Sequence, residues 1–306
     1  MRPEYFDQPC RSALNHVSGM PFEWTLNPYM GCAHRCTFCY VRAFERRADR
    51  PSGDAYGRRI RIKPNIAGVL RRELARPSWS RETVVVGAAT DPYQPIEGSR
   101  RLTRACLEAF VEHANPFGII TRGPLVVRDL DVLAEGSRRA KVAVDVSIPT
   151  LDEALWRVTE PGTAPPAQRL RAVRRLADAG IRVRVAMAPL LPGLSDRDDS
   201  LANVVRAARD AGAISVWAGL LHLQPGTREH FLDTLGAAWP EERARIETLY
   251  AGRAYLPKRA SAPVLAHVAE LRRASPRRAG APEPIEPLPP PEPERTFFAE
   301  QLGLAL

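Results

Sequence analysis

Six short runs rich in apolar and β-branched residues, at 23–29, 83–89, 118–122, 141–148, 181–190 and 213–221, are separated by segments long enough for helices, and this alternation constrains the fold more than any other feature. The intervening segments 102–114, 125–139, 166–179 and 198–211 each allow three or four helical turns, the length at which a helix carries one parallel strand over to the next. Gly180 and Gly212, each closing an Asp-Ala-Gly triplet, mark helix stops immediately before a strand. The fold class predicted is α/β, a partial (β/α)6 TIM-type barrel open on one side. Its chemistry is expected beyond the C-terminal strand ends. The chain divides on this reading into an N-terminal leader at 1–22, a barrel at 23–231 and a C-terminal helical extension at 232–274, whose helices are expected to close the open side. A disordered Pro/Glu-rich linker at 275–296 and a short apolar motif at 297–306 complete it.

The composition is that of a globular protein, with 44% hydrophobic and 26% charged residues in 306. No stretch approaches ~20 uninterrupted apolar residues, and no apolar segment precedes a small-residue cleavage site near the N-terminus, so neither a membrane span nor export is expected and the protein is placed in the cytoplasm. The net charge of +9 favours a polyanionic partner. Coding bias is an equal rival, because Lys63, Lys141 and Lys258 are the only lysines and the remaining basic residues are arginine.

Three of the five cysteines, Cys32, Cys36 and Cys39, fall in one C-x3-C-x2-C loop between the first strand and a helix. Three thiolates suit a 4Fe-4S cluster with one iron left open. A closed zinc site is the alternative, with His34 as the fourth ligand, and it would suit a nucleic-acid-binding module rather than an enzyme. Cys106 sits at helical spacing with Leu102, Ala109 and Phe110 and reads as core. Cys10 reads either as a reactive thiol near the site or as an inert one.

With Phe38 at the aromatic position before Cys39, the loop resembles the signature of radical S-adenosylmethionine (SAM) enzymes. The segments Gly31–Tyr40 (GCAHRCTFCY), Thr90–Glu97 (TDPYQPIE), Thr121-Arg122, Ser147–Asp152 (SIPTLD) and Pro189–Asp196 (PLLPGLSD) resemble the spore photoproduct lyase-like, or DNA repair photolyase-like, branch. The resemblance implies a radical SAM barrel whose cluster and SAM are cofactors. An electron from a reducing partner such as flavodoxin or ferredoxin cleaves SAM, and the resulting 5'-deoxyadenosyl radical abstracts hydrogen from substrate, here expected to be a nucleic-acid lesion. By the same resemblance Asp91 accepts from the SAM ammonium, Arg122 pairs with its carboxylate, Ser147 contacts the ribose, and Phe38 and Tyr40 flank the cofactor. Read by themselves, Asp91 is also an Asp-Pro turn, Arg122 a solvated strand-end charge and Ser147 an ordinary buried hydroxyl. The segment 189–193 matches the adenine-side wall and His34 a supporting position. Tyr29, Tyr93, Gln94, Glu97, Glu160, His222 and Gln224 are candidates for the substrate side. One departure stands out. The branch carries a hydrogen-returning cysteine just before the Ser/Thr-Asp pair, and this chain has Ala88 and Ala89 before Thr90-Asp91.

The C-terminal residues Gln301, Leu302, Leu304 and Leu306 are similar to the short peptides by which bacterial repair proteins dock on a sliding clamp. A DNA substrate and the clamp are therefore both expected partners. A small apolar clip folded back onto the barrel is the competing expectation.

Overall fold

The structure, a computed structural model, describes residues 3–288. In chain order its elements are β1 (Glu4–Asp7), β2 (Asn15–His16), β3 (Trp24–Leu26), β4 (Tyr29–Met30), α1 (Val41–Arg47), β5 (Arg59–Ile62), α2 (Ile66–Leu74), β6 (Val84–Val86), α3 (Glu97–Arg100), α4 (Leu102–Glu112) and β7 (Phe117–Thr121). They continue with α5 (Leu130–Arg139), β8 (Val142–Ser147), α6 (Glu153–Thr159), α7 (Pro166–Asp178), β9 (Val183–Leu190), α8 (Asp198–Asp210), β10 (Ser215–Leu220), α9 (Thr227–Ala238), α10 (Pro240–Tyr250) and α11 (Lys258–Ala274). A 3-10 turn, Pro124–Asp129, precedes α5.

All six expected runs form strands. β3, β6, β7, β8, β9 and β10 lie side by side in sequence order and parallel, with β2 antiparallel on the outer edge of β3. Sequential order with right-handed crossovers puts the connecting helices on one side of the sheet. Alternate strand residues facing that side, among them Val84, Val86, Phe117, Ile119, Val144, Val146, Val183 and Val185, are buried in one core with Cys106, Leu107 and Phe110 of α4, Leu176 of α7 and Val204 of α8. Each such side chain contributes roughly 1.5–3 kcal/mol. Cys106 is a core residue, as expected. Cys10 packs at the edge of the same core, its backbone paired with the Asn65 side chain, and burial raises its thiol pKa.

Four features differ from the sequence reading. The stretch at 1–22 supplies strands: β1 pairs with β5, which also pairs with β4, forming a three-stranded side sheet. α9 runs across the boundary set at 231. The C-terminal helices divide their work, because α11 packs on β10 and α8 whereas α9 and α10 join Cys36, Phe38, Leu191, Leu221 and Leu223 in a second core. Finally, the 275–288 part of the expected linker lies along the ends of the barrel helices. Arg278 N donates to the Arg209 carbonyl (3.1 Å), Ile285 N to Gly180 (2.8 Å) and Leu288 N to Arg138 (2.9 Å). Proline-rich composition argued against a packed core, but backbone donors there find the exposed carbonyls of helix C-termini. The rest of the linker and the Gln301–Leu306 motif lie outside the described residues.

Candidate active site at the barrel mouth

The cysteine loop leaves β4 and enters α1 at Tyr40, placing Cys32 and Cys36 in the interior and Cys39 partly exposed. Two of its carbonyls are held from inside by Arg42, which is 1% exposed, with Nε donating to Cys36 (3.1 Å) and Nη2 to Arg35 (3.1 Å), while Nη1 ties the loop to the segment after α1 through the Ser52 (2.6 Å) and Gly53 (2.8 Å) carbonyls. The Arg42 guanidinium also lies 4.5 Å from the Tyr56 ring centroid, and the Tyr56 hydroxyl is 3.5 Å from Cys39 Sγ. Two glycines allow neighbouring backbones to press against the loop. A Cβ at Gly57, whose φ is +71°, would meet the Cys32 carbonyl at 2.2 Å, and one at Gly162 would meet the Ala33 carbonyl at 2.4 Å. Thr227 at the start of α9 donates to the Cys39 carbonyl (3.0 Å), and Thr37 N donates to Thr159 (2.9 Å). Burial pushes the Cys32 thiol up to about 12, with the Asp91 charge adding to it, and burial likewise raises Cys36. A cation among the sulfurs would stabilise the thiolates.

Beside this loop stands Asp91, beyond the end of β6. Its Oδ1 accepts from Thr121 Oγ1 (2.7 Å) and Tyr93 N (2.9 Å), its Oδ2 accepts from Arg122 N (2.6 Å), and His34 Nδ1 lies 3.2 Å from Oδ2. Burial opposes ionisation, yet the His34 ring and these donors hold the carboxyl at about 2. Arg122, at the end of β7, donates through Nε to Glu160 Oε1 (2.6 Å) and through Nη2 to the Ala188 carbonyl (2.8 Å), with its guanidinium 5.5 Å from the Phe38 ring centroid. Glu160 is buried and also accepts from Arg169 Nη1 (3.1 Å), which in turn reaches the Ser147 carbonyl at the end of β8 (3.0 Å). Burial works against the Glu160 charge, and Arg169 and Arg122 together hold its pKa below the usual range. The Tyr40 hydroxyl donates to the Ala88 carbonyl, tying the cysteine loop to the β6 end. The wall at 189–193 is backed by α10, where Arg245 Nη2 donates to the Pro192 carbonyl (2.8 Å).

The expected cofactor-side residues Phe38, Tyr40, Asp91, Arg122 and Ser147 are thus gathered with the cysteines at one mouth. Most expected substrate-side residues are engaged by other parts of the protein. Tyr29, Tyr93, Gln94 and Glu97 are buried: Tyr29 Oη donates to Glu97 Oε2 (2.5 Å), Tyr93 Oη to Asp129 Oδ2 (3.1 Å), and the Gln94 amide holds the Ala33 N–H (2.9 Å) and Gly31 carbonyl (3.2 Å). Gln94 therefore shapes the cysteine loop. Glu160 is enclosed by its two arginines. His222 stacks on Tyr255 with ring centroids 4.0 Å apart, and Gln224 accepts from Arg47 Nη2 (2.7 Å). Sequence reading missed Arg42, Tyr56 and Arg169. A buried arginine is indistinguishable from a solvated one until its carbonyl partners are known.

Residues 26–205 match the Radical SAM superfamily. The chain belongs to the radical SAM superfamily. An uncharacterized protein of Mycobacterium tuberculosis is 39% identical over 251 residues, covering 81% of this chain and 74% of that protein. An uncharacterized protein of Acidianus two-tailed virus is 30% identical over 226 residues, 69% and 71% of the two chains. Among solved structures, spore photoproduct lyase with bound AdoMet and dinucleoside spore photoproduct has a TM-score of 0.63 at 17% identity, covering 88% of this chain and 79% of that one. This likeness is one of fold. Among the described residues no helix is long and apolar enough to cross a membrane.

The radical SAM loop carries three free thiols, Cys32 and Cys36 buried and Cys39 partly exposed, a donor set that fits a cluster with one iron left open. Among the described residues no three His, Cys, Asp or Glu side chains converge at single-ion distances.

Proposed function

We propose that Cys32, Cys36 and Cys39 hold a 4Fe-4S cluster and that the adjoining mouth binds SAM for radical hydrogen abstraction, with a nucleic-acid lesion as the substrate class. The observation that carries this is the meeting of the three-thiol loop with Asp91 and Arg122 at the C-terminal strand ends of a radical SAM fold. When bound, the cluster and SAM supply a reductively generated 5'-deoxyadenosyl radical. The chain's own residues do the placing. Asp91 directs its Oδ2 edge, shared with His34, toward an ammonium, and Arg122, rigidly set by Glu160 and Ala188, offers its guanidinium to a carboxylate. Phe38 and Tyr40 keep water from the loop, and Ser147 stands at the ribose position. Ala88 and Ala89, where the lyase-like branch has a hydrogen-donating cysteine, favour an outcome other than that cysteine's hydrogen return. A basic chain and a fold shared with a protein that binds a dinucleoside photoproduct support the nucleic-acid class.

Anaerobic reconstitution with iron and sulfide tests the reading. About four irons per chain and dithionite-dependent release of 5'-deoxyadenosine from SAM are expected. One tightly held zinc without SAM cleavage would replace it with the binding-module alternative.

A further inference from the structure

The face of the sheet turned away from the helices carries an arrangement that the mouth does not use. Strand register puts Asp145 of β8 opposite Arg184 of β9, and Ser147 opposite Ala186 opposite Trp217 of β10. These residues share one face, and it is the inner one, because the alternate positions Val144, Val146, Val185 and Val216 are buried against the helices. Arg184 grips Asp145 through Nε (2.9 Å) and Nη2 (2.6 Å), and the Trp217 indole N–H donates to the same carboxylate oxygen, Oδ1 (2.9 Å). Reaching from β10 to β8 spans two strand spacings, about 10 Å, so the indole must lie across β9. Ala186 is small enough to allow that.

Inward-facing side chains in a barrel usually fill it. These do not: the Arg184 side chain remains 42% exposed and Trp217 39%, while Asp145 is 6% exposed beneath them. The result is an open indole face edged by a guanidinium. With Nε and Nη2 on Asp145, the Nη1 edge of the fork is directed away from the carboxylate and offers N–H donors to another acceptor. One carboxylate and one guanidinium cancel, so the group has no net charge with which to attract a phosphate or carboxylate. It is complementary to an uncharged planar ring with carbonyl acceptors on its edge. Asp145 and Arg184 lie two residues below Ser147, about 7 Å deeper than the proposed ribose contact, while Trp217 springs from the level of Ser147 and reaches down to Asp145.

We propose that Asp145, Arg184 and Trp217 form the substrate-recognition floor of the barrel, where a nucleobase stacks on Trp217 and accepts a hydrogen bond from Arg184. This deepens the function proposed above and rests on it for the position of the radical. In a strand or as a free nucleoside, the base presents the same chemistry, and the binding experiment separates the two.

The experiment measures equilibrium binding of the anaerobically reconstituted protein to a single-stranded thymidine octamer, an abasic octamer of equal charge, and free thymidine. In parallel, 5'-deoxyadenosine release from SAM is followed without substrate. The thymidine octamer is expected to bind about tenfold more tightly than the abasic one, and Trp217→Ala and Arg184→Met should each remove most of that preference while leaving substrate-free SAM cleavage unchanged. Trp217→Phe, which keeps a stacking ring, should retain much of it. Competition by thymidine alone would identify the free nucleoside as the ligand, and its absence the strand. Equal binding of the two octamers, or a preference that survives both substitutions, overturns the recognition floor. If wild-type protein releases no 5'-deoxyadenosine, the proposed function fails, whatever the octamers show.

Discussion

One octapeptide, Thr90 to Glu97, feeds two buried charge networks that differ in purpose. At the mouth, Asp91 meets His34, Thr121 and Arg122, and Arg122 continues to Glu160 and Arg169. Behind the mouth, Glu97 accepts from Tyr29, from Thr103 N (3.0 Å) and from Arg128 Nη2 (2.7 Å), while Asp129 takes Tyr93, Arg104 and Arg128. The second network is closed on itself, with Glu97 and Asp129 both 0% exposed, and it fixes how α3 and α4 dock on β4. The first opens on the cysteine loop. Similar chemistry serves stability when every partner is fixed by packing, and on the function proposed it serves ligand binding where one side borders the cysteine loop.

The comparison breaks first at the cysteines. Cys32→Ala, Cys36→Ala or Cys39→Ala is expected to abolish both the visible iron–sulfur absorbance and SAM cleavage, with the fold kept as judged by circular dichroism. A variant with normal cluster content and turnover would remove the mouth's assignment. Next comes the closed network. Glu97→Ala leaves the buried Tyr29 hydroxyl and Thr103 N–H without their acceptor, although Arg128 still pairs with Asp129, and should cost about 2–4 kcal/mol in urea unfolding, with SAM affinity in the folded fraction unchanged. A loss of SAM affinity instead would mean that the two networks act as one.

Arg122→Met sharpens the contrast from the other side. It should weaken SAM binding by about 1.5–3 kcal/mol while cluster content stays normal, since Arg169 still pairs with Glu160. Isothermal titration against wild type decides this. The smallest effect concerns pH. Because the Asp91 pKa is depressed from 3.8 to about 2 in the folded state, its contribution is complete above pH 3.8 and is lost as pH falls toward 2. The loss amounts to roughly 2 kcal/mol. Asp91→Asn should flatten that part of the stability–pH curve, and an unchanged slope between pH 4 and 2 would show that Asp91 is not held ionised by its neighbours.

Much of this was legible in the chain. Val84–Val86 and Val142–Ser147 announce buried strands because β-branched runs fit a sheet covered on one face by helices, and the spacing of Cys32, Cys36 and Cys39 carries the resemblance to the superfamily that residues 26–205 match. The alternation of Arg59, Ile60, Arg61 and Ile62 was a strand signal too, but its partner β1 lies far away in sequence and only the fold joins them.

The sequence by itself determined the βα order, the thiol loop and the placement of Asp91 and Arg122 after strands, since periodicity and local spacing are properties of neighbouring residues. Tertiary structure alone decided that Glu97 would be structural, that Arg42 would turn inward onto carbonyls, that the 275–288 segment would dock, and that Asp145, Arg184 and Trp217 would meet across three strands. The physical reason is that a charged side chain takes its role from its partners and its exposure, and both are set by residues distant in the chain.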